Sequence, residues 1–233
     1  MDVETMHIAV KQHLDKTTAL DLAAYEPEEI DFWLNEAIRK FVKTRYSGFN
    51  IKRESFEETQ KRTDDLRTLL SSSDLTLKTD ATYPNSWIVD TAANLWPTDY
   101  WFAISEEAST ATISGVASVV RFGLTQCSHD EYRQKIDDPY AEHILHYGTA
   151  KPLRFFDDEY VRIITDGNYT LGTYHLTYLR KPAEVDNDPV GTTDCDLPEH
   201  THDEIAKLAA TMMLENIEQP RYQTHMNEVN TME

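Results

Sequence analysis

Apolar positions recur at helical spacing near both ends of the chain and at strand spacing between them. The clearest helical pattern runs from Glu26 to Gly48. There Ile30, Trp33, Leu34, Ala37, Ile38, Phe41 and Val42 follow the 3,4,3,4 rhythm of one buried stripe. Pro27 suits the first helical position, and Glu26, Glu28, Glu29 and Asp31 sit at the positive end. Arg39, Lys40, Lys43 and Arg45 crowd the negative end, and Gly48 stops the helix. Met6, Val10 and Leu14 mark a shorter helix before it. A third opens with Ser55-Phe56-Glu57-Glu58, a capping-box pattern, and runs to about residue 70 with Phe56, Thr63, Leu66 and Leu70 inward. Ser71-Ser72-Ser73-Asp74 is expected to break it.

From there to about residue 185 the apolar runs are short, β-branched and aromatic. Strands are predicted at 75–78, 87–89, 100–106, 111–123, 161–165 and 169–180. Asp166-Gly167-Asn168 is hairpin chemistry and predicts that the last two strands pair. Tyr174, Leu176 and Tyr178 alternate with His175, Thr177 and Leu179, so both faces of that strand are expected to be partly covered. Ser128-His129-Asp130-Glu131 predicts a short helix over 128–135. Pro182 ends the last strand, and an acidic loop with Pro189 and Gly191 follows. Ile205, Leu208, Ala209, Met212, Met213 and Ile217 then form the stripe of a C-terminal helix. Residues past Pro220 are polar and read as an arm. The expected class is therefore α+β: a helical bundle of N-terminal helices and one C-terminal helix, with a β-rich antiparallel module inserted. The expected bounds are 1–72 plus 197–220 for the bundle, 73–186 for the β module, 187–196 for the acidic loop and 221–233 for the arm.

Charge narrows the function classes. The chain of 233 residues has 41 acids and 22 bases, a net of −19. General binding to phosphate backbones or to anionic membranes needs clustered bases and is disfavoured. No apolar run reaches the roughly 18 residues of a membrane span. The N-terminal residues lack the basic and apolar regions of a secretory signal. Cys127 and Cys195 have no framework spacing and read as free thiols in a reducing compartment. Residues 39–67 hold nine bases and five acids, whereas 184–204 hold eight acids and no Lys or Arg. Such opposite patches are solvated faces, or surfaces that meet between neighbouring copies.

The densest chemistry is His200-Thr201-His202-Asp203-Glu204. It does not complete a metal motif: the H-x-H-x-D-H zinc motif of metallo-β-lactamase-type hydrolases would need His where Ile205 stands, and no Gly-Gly follows. His200 and His202 are thus weak metal candidates. Thr201-x-x-Glu204 instead matches a helix cap. His143-x-x-His146, Cys127-x-His129 and a composite of Cys127, His129, Cys195 and His202 each lack ligands placed by spacing. Asp157-Asp158-Glu159 reads as a turn. There is no G-x-S-x-G, P-loop or G-x-G-x-x-G, and nothing in the sequence orders Ser, His and Asp into a triad. No catalytic residue and no cofactor is expected, and the profile is that of a structural or interaction protein.

An ordered set of segments adds to this: "FWLNEAIRKFVKTRYSG", "FEETQKRTDDLRTLL", "WPTDYWFAIS", "DDPYAEH", "YHLTYLRKPAEV" and "CDLPEHTHDEIAKLAATMMLENIEQPR". Together they resemble the head-to-tail connector ring proteins (portal adaptor, or neck) of crAss-like podoviral tailed bacteriophages, over about residues 5–225. The resemblance implies no enzyme activity. It implies a homo-oligomeric ring, usually twelve-fold, assembled in the host cytoplasm and placed in the virion beneath the portal. Such a ring extends the DNA channel and offers the tail a platform. The implied partners are further copies, the portal protein, other neck or tail rings, and double-stranded DNA passing without specific binding; no membrane is implied. On that picture Arg39, Lys40, Lys43, Arg45, Lys52, Arg53, Arg62 and Arg67, with Arg221 and Tyr222 of the arm, are expected at a partner interface. Asp157, Asp158, Glu159, Glu184, Asp186 and Asp188 are expected to face the channel, where negative walls would keep friction low. The alternatives are another virion part, such as a tail or minor capsid protein, and a metal-dependent hydrolase using His200 and His202.

Overall fold

The computed structural model describes residues 1–17, 25–47, 56–89, 96–157, 160–188 and 191–216. It is a mixed α+β structure with a large, mainly antiparallel sheet and several helices. Two compact units are resolved: Met1–Leu70 with Lys181–Glu233, and Ser71–Arg180.

The first unit holds α1 (Val3–Thr17), α2 (Pro27–Tyr46), α3 (Gln60–Leu66) and α5 (His202–Asn216). α2 forms as its sequence dictates. The Glu26 carboxylate accepts the N3 amide, and Glu29 reaches back to the Glu26 amide at 3.2 Å. Ile30, Leu34, Ala37, Ile38, Phe41 and Val42 are all buried, whereas Trp33 is half-buried. α5 packs against both α1 and α2. Met6, Val10 and Leu14 of α1 are buried, as are Ile205, Leu208, Ala209 and Met213 of α5. Apart from Ala209, each of these side chains contributes about 1.5–3 kcal/mol on burial. Met212 is half-buried, and Ile217 lies outside the described residues.

α3 differs from expectation. It starts at Gln60 and gives way to a 3-10 turn at Arg67–Leu69. That tighter turn advances the chain faster around the axis. Leu69 therefore takes the inward position at 0% exposure, and Leu70, expected inward, stands 38% exposed. Ser71 to Asp74 do not break the chain into a loop; they lie within the first strand. The Ser55 half of the expected cap lies outside the described residues.

The acidic segment after Pro182 is not a free loop. Asn35 of α2 donates to the Val185 carbonyl at 2.9 Å and accepts the Val185 amide at 2.8 Å, as a strand partner would. Asp31 accepts the Asn187 amide at 3.2 Å and pairs with the His7 imidazole at 2.7 Å. Asp194 accepts the Val3 amide at 2.9 Å, at the start of α1.

The second unit carries β1 (Leu70–Asp80), β2 (Ser86–Val89), β3 (Tyr100–Ile113), β4 (Val116–Ala117), β5 (Arg121–Gly123), β6 (Thr125–Gln126), α4 (Tyr132–Asp137), β7 (Leu153–Asp157), β8 (Tyr160–Ile164) and β9 (Tyr169–Arg180). Their order is β4-β3-β9-β1-β2-β8-β7-β6, with β5 also on β3. β6 and β7 run parallel. Leu75, Leu77, Ile163, Leu171, Tyr174 and Leu176 are among the residues of its main core.

The expected pairing of the last two strands does not form. β8 pairs with β2 and β7, and β9 pairs with β3. The Asp166 turn is real: Gly167 sits at φ +85, and the Asp166 carboxylate accepts the Asn168 amide at 2.9 Å. But the turn joins strands that part company, because β3 and β1 occupy the two edges of β9. Residues 100–106 and the start of 111–123 merge into one 14-residue strand with several bulges. β7 is a strand that periodicity did not predict. Asp157 pairs with Tyr160 in the β7–β8 ladder, and the other two acids of the expected turn, Asp158 and Glu159, lie outside the described residues. α4 begins at Tyr132, four residues later than expected.

Candidate functional site

Four polar clusters gather most of the residues with chemical potential. The first joins α2, α3 and α5. Arg45, in the last turn of α2, contacts Glu204 in the first turn of α5 at 2.6 Å and Asp65 of α3 at 3.0 Å. The Arg45–Asp65 contact is an off-line ion pair rather than a directed hydrogen bond. The Arg45 guanidinium also lies 4.7 Å from the centre of the Phe41 ring. His200 Nε2 meets the other Asp65 oxygen at 2.9 Å. Arg62 donates to the carbonyls of Thr44 and Arg45 at 3.3 and 3.4 Å, and so closes the end of α2. Arg45, Arg62 and Asp65 are 3%, 3% and 1% exposed. The centre of the cluster is interior, with His200 and Glu204 at its exposed rim, and it holds three helices together.

The same geometry separates the two histidines. His200 is turned onto Asp65, and buried His202 donates from Nε2 to the Leu197 carbonyl at 2.8 Å. The two imidazoles have separate partners. Among the described residues no group of three or more His, Cys, Asp or Glu is arranged to hold a metal ion. The expected cap is also replaced. Thr201 donates its hydroxyl to the Pro198 carbonyl at 2.8 Å within a 3-10 turn, and Glu204 serves Arg45 and Lys61.

The expected interface and channel residues separate into groups. Arg45 and Arg62 are interior, because their guanidiniums are already committed to buried partners. Lys40, Lys43 and Arg67 are exposed, and Arg67 has Asp64 at 3.7 Å. Arg39 pairs with Glu36 and, at 2.6 Å, with Glu184. Lys181 adds to Glu184 at 3.6 Å. A base expected on one surface and an acid expected on another are thus direct neighbours. Asp186 and Asp188 are exposed; the Asp186 carboxylate accepts the Asp188 amide at 3.0 Å, and its backbone pairs with Thr193. Lys52, Arg53, Asp158, Glu159, Arg221 and Tyr222, and the side chain of Asp157, lie outside the described residues.

The second unit holds the other three clusters. Arg154 of β7 donates to Glu106 of β3 at 2.6 Å, and the Tyr174 hydroxyl of β9 donates to the same carboxylate at 2.8 Å. Burial first, then the Glu106 charge, pushes the Tyr174 phenol far up. Arg162 pairs with Asp80 beneath the Tyr83 ring, and burial lowers its pKa.

The last cluster was invisible to spacing. Asp74 of β1, His175 of β9 and Ser109 of β3 form a hydrogen-bonded row, with 2.5 Å from Asp74 to Nδ1 and 2.6 Å from Nε2 to Ser109. That is the order of a hydrolase triad. Its nucleophile position argues against acyl transfer. Ser109 is 7% exposed and stands in register with β9 on one side and β5 on the other. With so little of Ser109 exposed, its hydroxyl presents little surface to a substrate carbonyl. The row therefore clamps three strands whose members lie up to 101 positions apart. Only the sheet order brings them together.

The family profile described as phage tail ring protein 3/4 matches residues 9–224. No curated protein matches the chain.

Proposed function

The chain belongs to the phage tail ring protein 3/4 family, and from that premise we propose that it is a ring subunit of the head-to-tail connector. The coarse role is that of a virion structural protein. The finer reading places a ring of twelve copies beneath the portal, where it lengthens the DNA channel and receives the tail. The match, which covers nearly the whole chain, supports a ring protein of the virion; the place beneath the portal is the finer reading and rests on the ordered segments quoted above. The polar clusters support it. Each joins elements of one unit, and none presents an open nucleophile or an arranged metal set, as suits a part built for shape.

On this reading α1, α2, α3 and α5 form a bundle and the β unit is its insertion. Exposed Lys40, Lys43 and Arg67, with Arg221 and Tyr222, face acidic partner surfaces on the portal or a neighbouring ring. The segment around Asp186 and Asp188, with Asp157 to Glu159, faces the channel. Negative walls repeated around a ring repel the duplex and leave it free to slide. Glu184, shared between Arg39 and Lys181, contributes least to that field. The family description favours a second reading, a ring lower in the tail.

A symmetric reconstruction of the virion from portal to tail tests both. The expected result is twelve copies directly under the portal with Asp186 and Asp188 toward the axis. Density for the chain at a lower tail level selects the second reading, and its absence from the particle overturns both.

A further inference from the structure

Two tyrosines on the segment between α4 and β7 are displayed in a way that folding of their own unit does not require. Tyr147 is 107% exposed and Tyr140 is 86% exposed. Tyr147 also occupies left-handed backbone at φ +50, followed by Gly148 at φ +82. The pair forms the centre of a tight turn closed by two backbone hydrogen bonds of 2.9 Å between His146 and Thr149. Asn, Asp or Gly ordinarily fills the first of those positions, and an aromatic residue there is strained. Strain held in place at a fully exposed side chain points to a role outside the unit.

The segment around these residues is firmly seated. Leu145 donates its amide to Asp166 at 2.9 Å, and Lys151 donates its own to the Glu142 carbonyl at 2.7 Å. The Tyr169 hydroxyl donates to the carbonyl of His143, which is buried. A rigid mount with exposed tyrosines is how strong interface anchors are built, since tyrosine brings large area at small entropic cost.

Charge indicates the partner. Residues 137–150 carry Asp137, Asp138 and Glu142 and no Lys or Arg, whereas residues 39–45 carry no acid and expose Lys40 and Lys43, with Arg45 interior and Arg39 paired with Glu36 and Glu184. Phe32, Glu36, Lys40 and Lys43 share one face of α2 by their spacing. Phe32 is 56% exposed, and both lysines are exposed. A closed ring of identical subunits needs two different patches, each meeting the other on the next copy.

We infer that the 137–150 segment of one copy docks on the outward face of α2 of the next copy. Tyr147 and Tyr140 cover Phe32, and Asp138 faces Lys40 and Lys43. Asp137 already has Arg133 at 3.5 Å and Glu142 has Lys151 at 3.5 Å, which leaves Asp138 as the principal acid. The two tyrosines alone would bury about 300–500 Å², a large part of the roughly 800 Å² per partner of a stable interface. The inference rests on the ring reading above.

The test uses the purified full chain, followed by native mass spectrometry and sedimentation across a concentration series. Tyr147→Asn is the informative variant, because Asn suits the left-handed turn while it removes the ring. Its thermal unfolding is expected to be unchanged or raised, while the concentration for half-assembly rises about tenfold or more. Lys40→Glu with Lys43→Glu is expected to weaken assembly comparably, and Asp138→Lys added to that pair is expected to recover part of it. Wild-type rings with unaltered assembly in Tyr147→Asn and in the lysine pair overturn the docking and leave the ring reading intact. A wild-type chain that stays monomeric at every concentration, and in the presence of the other virion ring proteins, overturns the ring reading and the docking with it.

Discussion

In the helical unit a buried arginine links residues 159 positions apart, Arg45 and Glu204. In the β unit a comparable arginine links Arg154 to Glu106, 48 positions apart. Both pairs sit in interiors built of aliphatic and aromatic side chains, and both carboxylates serve a second partner or have a neighbour that does. The difference lies in what depends on them. Arg45 joins helices whose apolar stripes already specify their own burial, so the cluster sets which helix ends meet. Arg154, Glu106 and Tyr174 join strands whose register decides which face each side chain takes. Helices can be read one at a time, whereas strands acquire meaning only in pairs.

Replacing Asp65 with Ala probes the helical side most severely. It strands Arg45 in the interior with one acid fewer, and a loss of about 3–5 kcal/mol is expected. Urea titration followed at Trp33, the tryptophan of that unit, reports it. Trp87, Trp96 and Trp101 report the β unit separately in variants that retain only them, and a later transition there would show that the units unfold independently.

Glu106→Ala is the matching test in the β unit. Arg154 retains the face of the Phe156 ring at 4.5 Å, so a smaller loss of about 2–3 kcal/mol is expected. An equal or larger loss than for Asp65→Ala would reverse the ranking. Gly167→Ala acts on the turn alone. Its added carbon would meet the Asn85 amide at 2.9 Å, a side-chain end that can move, so the cost is chiefly the strain of φ +85. About 1 kcal/mol is expected, confined to the β-unit transition.

The smallest effect concerns Cys195, whose thiol is pushed by burial from 9.0 up to about 11. The folded chain holds that proton more tightly than the unfolded chain. Stability is therefore full below pH 9 and falls as pH rises toward 11, since the unfolded state ionises first. Denaturation at graded alkaline pH should show this loss, and Cys195→Ala should flatten it. Alkylation of Cys195 in the folded chain should be slow at neutral pH, when little thiolate is present.

Much of the helical unit was legible because helical burial is a local property. Ile30, Leu34, Ala37, Ile38, Phe41 and Val42 are inward for reasons contained within α2. The exceptions arose where a neighbour outweighed the local signal. The 3-10 turn at Arg67 moved burial from Leu70 to Leu69. Thr201 and Glu204, a complete cap by spacing, were drawn to Pro198 and Arg45. Arg45 and Arg62 read as surface bases because charge is ordinarily solvated, and no spacing announced that Asp65 and Glu204 would face Arg45 or that the open carbonyls of α2 would face Arg62. In the β unit the boundaries of β2, β8 and β9 were legible, but their partners were not. Asp166-Gly167-Asn168 specified a turn, and a turn constrains only the four or five residues around it.

The chain by itself determined its helices, the positions of several strands, its strong negative charge and the ordered segments that mark its family. Those properties follow from side-chain periodicity, caps and composition, each set by residues within a few turns of one another. The tertiary structure alone decided that His200 and His202 face apart, that Asp74, His175 and Ser109 align as a clamp, and that Tyr147 stands free on a strained turn. Each of these depends on which distant strand or helix lies alongside, and that choice is made by the joint burial of many side chains at once rather than by any short stretch of sequence.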